Sequence, residues 1–226
     1  MTDAHAAMLS NVPLFAHLPA EALHEFAQHL RQRRYERGDT VFYQGDPGQN
    51  LCIVQTGRIK LSLMSAEGRE IIIDLVGSGG VFGELALLDG EPRSADCVAI
   101  EPSELLVLDR PEFVDCLLKR PQLAIDLLAI LSRRVRRDTM LLLDAAFLDV
   151  PARLARTILR LADAPTREGT TATPRLNQTD LAGLSGTTRE TLNKFLGIFQ
   201  DEGLVRLEKG RIVVLDKPGL QSRIGV

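Results

Sequence analysis

The sequence has little of what covalent and metal chemistry needs. Its three cysteines, Cys52, Cys97 and Cys116, are odd in number and far apart. They argue for reduced thiols rather than a disulfide framework. Histidine occurs only near the start, as His5, His17, His24 and His29. His24 and His29 are five apart, not the three or four that put two ligands on one helix face, so they read as solvated helix residues rather than haem or metal ligands. No run approaches the ~20 apolar residues of a membrane span. The opening Met1-Thr2-Asp3-Ala4-His5 lacks a basic region and an apolar core, so no signal peptide is expected. The expectation is a cytoplasmic protein with no membrane partner. There is no nucleophile–base pair, no metal cluster and no P-loop, so no catalytic residue and no metal ligand is assigned, and an enzyme is not expected.

What is present fits a globular protein of more than one domain. The 226 residues are 45% hydrophobic and 25% charged, ample for two cores. The net charge of −3 is uneven: residues 1–150 carry 15 basic and 22 acidic side chains (−7), and residues 151–226 carry 12 and 8 (+4). A basic C-terminal unit on an acidic body fits a nucleic-acid contact confined to the C-terminus.

Residues 9–30 repeat apolar side chains at helical spacing (Leu14, Phe15, Leu18, Leu23, Phe26, Ala27, Leu30), with a helix start at Pro19. From Arg34 to Leu108 the period changes to two. Thr40–Tyr43, Leu51–Val54, Ile59–Leu63, Glu70–Asp74 and Glu104–Leu108 read as short strands separated by glycine-rich turns, which implies an antiparallel sandwich or barrel.

Between two of these strands lies the stretch Gly83-Glu84-Leu85-Ala86-Leu87-Leu88-Asp89-Gly90-Glu91-Pro92-Arg93-Ser94-Ala95. Arg93 has the fork of donors that suits a phosphodiester, and Glu84 can accept from a sugar hydroxyl. A short helix over Leu85–Leu88 would add its N-terminal backbone N–H groups. The competing reading is a Glu–Arg salt bridge over a surface loop.

After Pro121 a long helix is expected to run to about Ala146. Leu128, Leu131, Val135, Asp138, Leu142 and Ala145 recur at alternating steps of three and four, a coiled-coil seam that most simply makes a parallel homodimer. Its one polar position is Asp138. Two such carboxylates facing across a dimer axis need a cation (Arg133, Arg134, Arg136 or Arg137) or a bound donor beside them. Phe147–Pro151 reads as a hinge, followed by a helix over Ala152–Ala162 and a polar loop over 163–174.

Residues 177–199 carry a second signal. Asn177-Gln178-Thr179-Asp180 opens a short helix with Leu181, Ala182 and Leu184. Ser185-Gly186 turns, and Thr187-Thr188-Arg189-Glu190 opens a second helix packed by Leu192, Phe195 and Leu196. The small Ala182 and the glycine four later have helix-turn-helix spacing, although an ordinary helical hairpin shares the pattern. Leu204–Leu207 and Ile212–Leu215 around Glu208-Lys209-Gly210-Arg211 read as a β-hairpin wing with a basic tip.

The stretch FGELALLDGEPRSA resembles the phosphate-binding cassette of cyclic-nucleotide-binding domains. With Arg-Arg-Val-Arg-Arg, Ala-Phe-Leu-Asp-Val-Pro-Ala-Arg-Leu-Ala and Thr-Arg-Glu-Thr-Leu-Asn-Lys, the chain over about residues 10–216 resembles the bacterial cyclic-AMP receptor protein family, in the CRP/FNR superfamily of transcription regulators. The resemblance implies an α+β protein: an N-terminal antiparallel β-roll (the cyclic-nucleotide-binding jelly roll, 1–120), a long dimerisation helix and hinge (121–150) and a C-terminal winged helix-turn-helix (151–226). It implies cyclic AMP as effector, contacted by Gly83, Glu84, Leu85, Arg93, Ser94 and Ala95 and, from the long helix, Asp138 and Thr139. It implies double-stranded DNA read by Thr179, Thr188, Arg189, Glu190, Asn193, Lys194 and Lys209 at a TGTGA-like half-site, with RNA polymerase as a further partner. Arg189 can donate bidentately to guanine, Glu190 can accept from cytosine, and Lys194 can reach guanine or a phosphate. One departure bears on the base. Members that bind cyclic AMP often carry a Thr-Ser or Thr-Asn pair where this chain has Asp138-Thr139. The Asp acceptor could take the amino hydrogens of adenine or of guanine, so cyclic GMP is the alternative effector. Relatives that sense gases through haem or iron–sulfur clusters are a further alternative, disfavoured by the dispersed cysteines.

Overall fold

The computed structural model describes residues 2–162 and 171–225, so the first part of the loop expected at 163–174 lies outside the described residues. The chain divides into two compact units, Met1–Leu63 with Ile73–Arg137, and Met64–Ile72 with Asp138–Val226.

The first unit begins with α1 (Thr2–Leu9) and α2 (Ala20–His29). Within the stretch of helical apolar spacing over 9–30, residues 10–19 form turns, yet Leu14 and Phe15 there are fully buried. Apolar spacing reported burial correctly and helicity only from Pro19, whose extended backbone (φ −66°, ψ 155°) precedes the first turn of α2. The strands are β1 (Arg31–Tyr35), β2 (Thr40–Phe42), β3 (Asn50–Thr56), β4 (Arg58–Met64), β5 (Glu70–Gly77), β6 (Val81–Phe82), β7 (Asp96–Ala99) and β8 (Ser103–Asp109), with α3 (Glu84–Asp89) between β6 and β7. They form two four-stranded sheets, ordered β1-β8-β3-β6 and β2-β7-β4-β5, and every pairing with a determined register is antiparallel.

The central strands β3 and β8 are apolar on both faces. Leu51, Ile53, Leu106 and Leu108 join a core with Phe15, Phe26, Phe113 and Leu123, while Cys52, Val54, Leu105 and Val107 join another with Phe82, Ile59 and Cys97. Alternation with period two sends successive side chains into these two cores.

After β8, α4 (Arg110–Lys119) carries a proline in its first turn, and α5 runs from Pro121 to Phe147. Of the expected seam residues on α5, Leu128, Val135 and Leu142 are 62%, 65% and 72% exposed. Leu131 is half-buried and packs against the first unit's core. It is therefore shared with the core rather than standing wholly in an open stripe.

The second unit contains α6 (Val150–Ala162), α7 (Gln178–Leu184), α8 (Arg189–Asp201), a hairpin of β9 (Val205–Glu208) and β10 (Arg211–Val214), and α9 (Lys217–Ser222). Leu154, Ala155 and Ile158 of α6 pack with Leu181, Ala182, Leu192, Leu196, Phe199, Val205, Ile212 and Leu220 in one core. Asn177 caps α7 by accepting from Asp180 N, and Thr188 caps α8 by accepting from Thr191 N. Glu208 pairs directly with Arg211, which leaves a two-residue turn of Lys209 (φ 30°) and Gly210 (φ 85°). Positive φ at both positions is the turn geometry that matches the twist of a hairpin. The short α9 had no sequence signal strong enough to predict it.

Candidate functional site

The cassette folds around a buried arginine. Gly83 follows β6 in the left-handed region (φ +80°), and a Cβ there would sit 2.6 Å from Arg93 Nη1. Glycine is therefore required twice over, for the turn and for the close approach. Glu84 starts α3, and α3 is held from behind by Arg110 Nε, which donates to Leu87 O at 2.9 Å. Arg93 returns beside Gly83 because its backbone is zipped to an earlier turn: Gly45 N donates to Arg93 O, and Arg93 N donates to Asp46 O, both at 2.9 Å.

Glu84 and Arg93 are 1% and 4% exposed. That disposes of the reading as a salt bridge over a surface loop. The guanidinium donates through Nη1 to Gly83 O (2.9 Å) and through Nη2 to Asn50 Oδ1 (2.8 Å), and lies 4.1 Å over the Phe42 ring. Its acceptors are neutral, and burial lowers its pKa from the usual guanidinium value. A desolvated cation held this way is costly unless an anion joins it. Arg93 Nε is buried with no hydrogen-bond partner among the described residues, and so is Glu84 Oε2. The other oxygen, Glu84 Oε1, is ion-paired with Arg134 Nη1 of α5, whose Nη2 donates to Val81 O.

These side chains enclose a cavity of about 40 Å³ lined by Phe42, Leu61, Gly83 to Ala86, Arg93 to Ala95, Cys97 and Arg134. Sites for drug-sized ligands run to about 300–1,000 Å³, so the cavity in this state holds roughly a water and not a nucleotide. The structure thus brings together Gly83, Glu84, Leu85, Arg93, Ser94 and Ala95, with Ser94 exposed at the rim. Asp138 and Thr139 are exposed on α5 and are not among the lining residues. Sequence reasoning missed five lining residues, Phe42, Leu61, Ala86, Cys97 and Arg134, and of these only Arg134 is charged. It is one of the four arginines, Arg133, Arg134, Arg136 and Arg137, beside Asp138 in the sequence. Of these, Arg134 goes to Glu84, and Arg137 pairs with Asp74 at 2.7 Å.

Burial also raises the Cys52 thiol to about 12 and raises that of Cys97 further, so both are poor nucleophiles. His24 pairs with Ala20 O (2.8 Å) and Asp3 (3.2 Å). Among the described residues, no group of three His, Cys, Asp or Glu side chains is placed to hold a metal ion.

In the second unit, Arg189, Glu190, Asn193 and Lys194 are exposed on the first turns of α8. Arg189 and Asn193 are four apart, as are Glu190 and Lys194, so two adjacent stripes of donors and acceptors face solvent. Thr179 is exposed on α7, and Lys209 is exposed at the hairpin tip. Thr188 is committed to capping, with its hydroxyl also 3.0 Å from Thr191 Oγ1. An exposed helix start with this set of groups suits base edges in a major groove.

The chain matches the cyclic nucleotide-binding domain family over residues 32–120 and the Crp-like helix-turn-helix domain family over residues 152–223. It is 33% identical over 219 residues to a CRP-like cAMP-activated global transcriptional regulator of Mycobacterium tuberculosis, covering 96% of this chain and 98% of that one. It is 36% identical over 210 residues to the cyclic AMP receptor protein of Thermus thermophilus, covering 93% and 95%. Among solved structures it resembles the c-di-GMP responsive global regulator CLP of Xanthomonas campestris, with a TM-score of 0.75 and 27% identity over 87% of this chain and 99% of that one.

Proposed function

Because the chain belongs to the CRP/FNR superfamily of DNA-binding transcription regulators, which are not enzymes, we propose that it is a homodimeric regulator gated by cyclic AMP. The observation that carries the effector reading is the pair of orphaned buried atoms, Glu84 Oε2 and Arg93 Nε. A ribose hydroxyl would donate to the first and a cyclic phosphate oxygen would accept from the second, satisfying both. The similarity to cAMP-activated relatives at 33% and 36% identity supports the same choice.

A cavity of about 40 Å³ is too small for the nucleotide while Arg134 lines it and pairs with Glu84. In our reading, binding displaces Arg134, so the cassette communicates with α5 through a change of ion-pair partner. Asp138 and Thr139, further along the same helix, would then meet the base. The exposed stripe of Leu128, Val135 and Leu142 would be covered by a second copy, and the recognition helices of the two copies would enter successive major grooves about 34 Å apart. The proposed division is a β-roll domain to residue 120, a dimer helix and hinge to 150, and the DNA-binding domain beyond. RNA polymerase is the proposed protein partner of the DNA-bound dimer, and the cytoplasm its location.

A second effector reading rests on one observation. Asp138, the residue that would meet the base, is an acceptor, which suits the guanine amino group of cyclic GMP as well as adenine. Calorimetry with cyclic AMP and cyclic GMP, on wild type and Asp138→Thr, separates the two. Fluorescence anisotropy on a TGTGA palindrome then tests the gating. Cyclic AMP should bind and raise DNA affinity, because only a ligand that prefers the DNA-competent state shifts the population. DNA affinity unchanged by cyclic AMP, in wild type and Arg93→Ala alike, would sink the gating proposal.

A further inference from the structure

We infer that Gln178, on the first helix of the helix pair, is a positioning residue that fixes how Arg189 and Asn193 read a base pair. The inference rests on the DNA-reading role proposed for α8. Gln178 opens α7 and is exposed, and its side chain reaches across to α8. Its Oε1 accepts from Arg189 Nε at 3.0 Å and from Asn193 Nδ2 at 3.2 Å. A guanidinium only donates, so the side of the amide facing Arg189 must be the oxygen.

This has a geometric consequence. An arginine can address guanine O6 and N7 end-on through Nη1 and Nη2, or side-on through Nε and one Nη. With Nε occupied by Gln178, Arg189 keeps the end-on fork, and its long side chain is ordered before DNA arrives. Arginine is rich in rotamers, so ordering it in advance favours the contact that needs that one orientation. Asn193 is held through its amide nitrogen, which leaves its Oδ1 as an acceptor toward the groove. One glutamine thus presents a double donor and an acceptor in fixed relation.

The test uses the full chain with saturating cyclic AMP, and separately without it. The probes are TGTGA-palindrome duplexes in which each base pair of the half-site is replaced in turn. Gln178→Ala should lower discrimination at the base pair that Arg189 reads by about tenfold, the scale of one bidentate contact. Gln178→Glu keeps the acceptor and should keep that discrimination, while its negative charge weakens binding to every duplex alike. In an Arg189→Ala background, Gln178→Ala should cause no further loss at that base pair. Two results overturn the inference: equal weakening by Gln178→Ala on all duplexes, which marks a phosphate contact, or an undiminished effect in the Arg189→Ala background. If wild type shows no preference among the duplexes with or without effector, the DNA-reading role of α8 fails and this inference with it.

Discussion

Arg93→Met separates a ligand-binding arginine from a structural one, because the two roles predict opposite balances. Methionine keeps the stem of this residue, which is 4% exposed, and removes the guanidinium that donates to Gly83 O and Asn50 Oδ1. Losing those two charge-assisted hydrogen bonds costs about 1.5–3 kcal/mol each, and losing the contact with Phe42 costs about 0.5–2 kcal/mol. Against this, the free protein no longer buries a cation without a carboxylate and no longer leaves Nε unpaired, a relief of several kcal/mol. The terms offset, and the ligand-free stability should change by no more than about 2 kcal/mol in either direction. Nucleotide binding has no such offset. Two charge-assisted bonds to the cyclic phosphate are worth about 3–6 kcal/mol, so affinity should fall between about 100-fold and about 20,000-fold. Urea unfolding with and without cyclic AMP reads both quantities. At 100 times its dissociation constant the ligand adds about 2.7 kcal/mol to wild type, and the same concentration should add no more than about 0.4 kcal/mol to Arg93→Met. Arg93→Lys, which keeps the charge but not the fork, should fall between them. A Met variant stabilised by cyclic AMP as wild type is would refute the phosphate assignment. A Met variant that loses more than about 4 kcal/mol without ligand would show that the guanidinium serves the fold instead.

Three further substitutions probe the same site. Gly83→Ala places a Cβ 2.6 Å from Arg93 Nη1 at a φ of +80°. It should cost about 1–3 kcal/mol in urea unfolding and weaken nucleotide binding, and an unaffected variant would remove the argument for close approach. Arg134→Ala leaves the Glu84 carboxylate, whose side chain is 2% exposed, without its cation. The expected loss is about 3–5 kcal/mol, largely recovered by adding Glu84→Gln, and a loss without recovery would mean that the pair is not coupled. Burial raises the Cys52 thiol from 9.0 to about 12. The unfolded chain therefore releases this proton first, and the associated stability is fully present below pH 9 and lost as pH rises toward 12. Replacing Cys52 with alanine should flatten the alkaline fall in urea-unfolding free energy by up to about 1.4 kcal/mol per pH unit. Equal slopes in both proteins would contradict the burial argument.

Legibility in the sequence followed the range of the interactions. β2, β3, β4, β5 and β8 could be read because short apolar runs, alternation in β4 and flanking turns are all local. β1 could not: Arg31 to Arg34 are all exposed, so its place depends on pairing with the distant β8 and leaves no alternation to read. Leu131 kept the spacing of a seam but was drawn into the core, since a helix face shared between two neighbours has one period and two destinations. The site divides in the same way. Gly83, Glu84 and Arg93 sit on one continuous stretch whose turn chemistry is written into its glycines, so the groups that would touch a ligand were legible. The groups that hold them were not. Asn50 and Phe42, which fix the guanidinium, come from earlier parts of the β-roll. Arg134, which occupies Glu84, is one of four arginines between 133 and 137, and only the phase of α5 against the β-roll selects it. Gln178 is a similar case, an unremarkable helix start until folding brings its oxygen to Arg189 and Asn193. The ligand-facing residues are short-range and recur as motifs, whereas the residues that set their orientation and exchange partners are long-range. Differences of effector and operator between regulators of this architecture should therefore lie mainly in that second group, where a single substitution changes the preference of the site and leaves the motif intact.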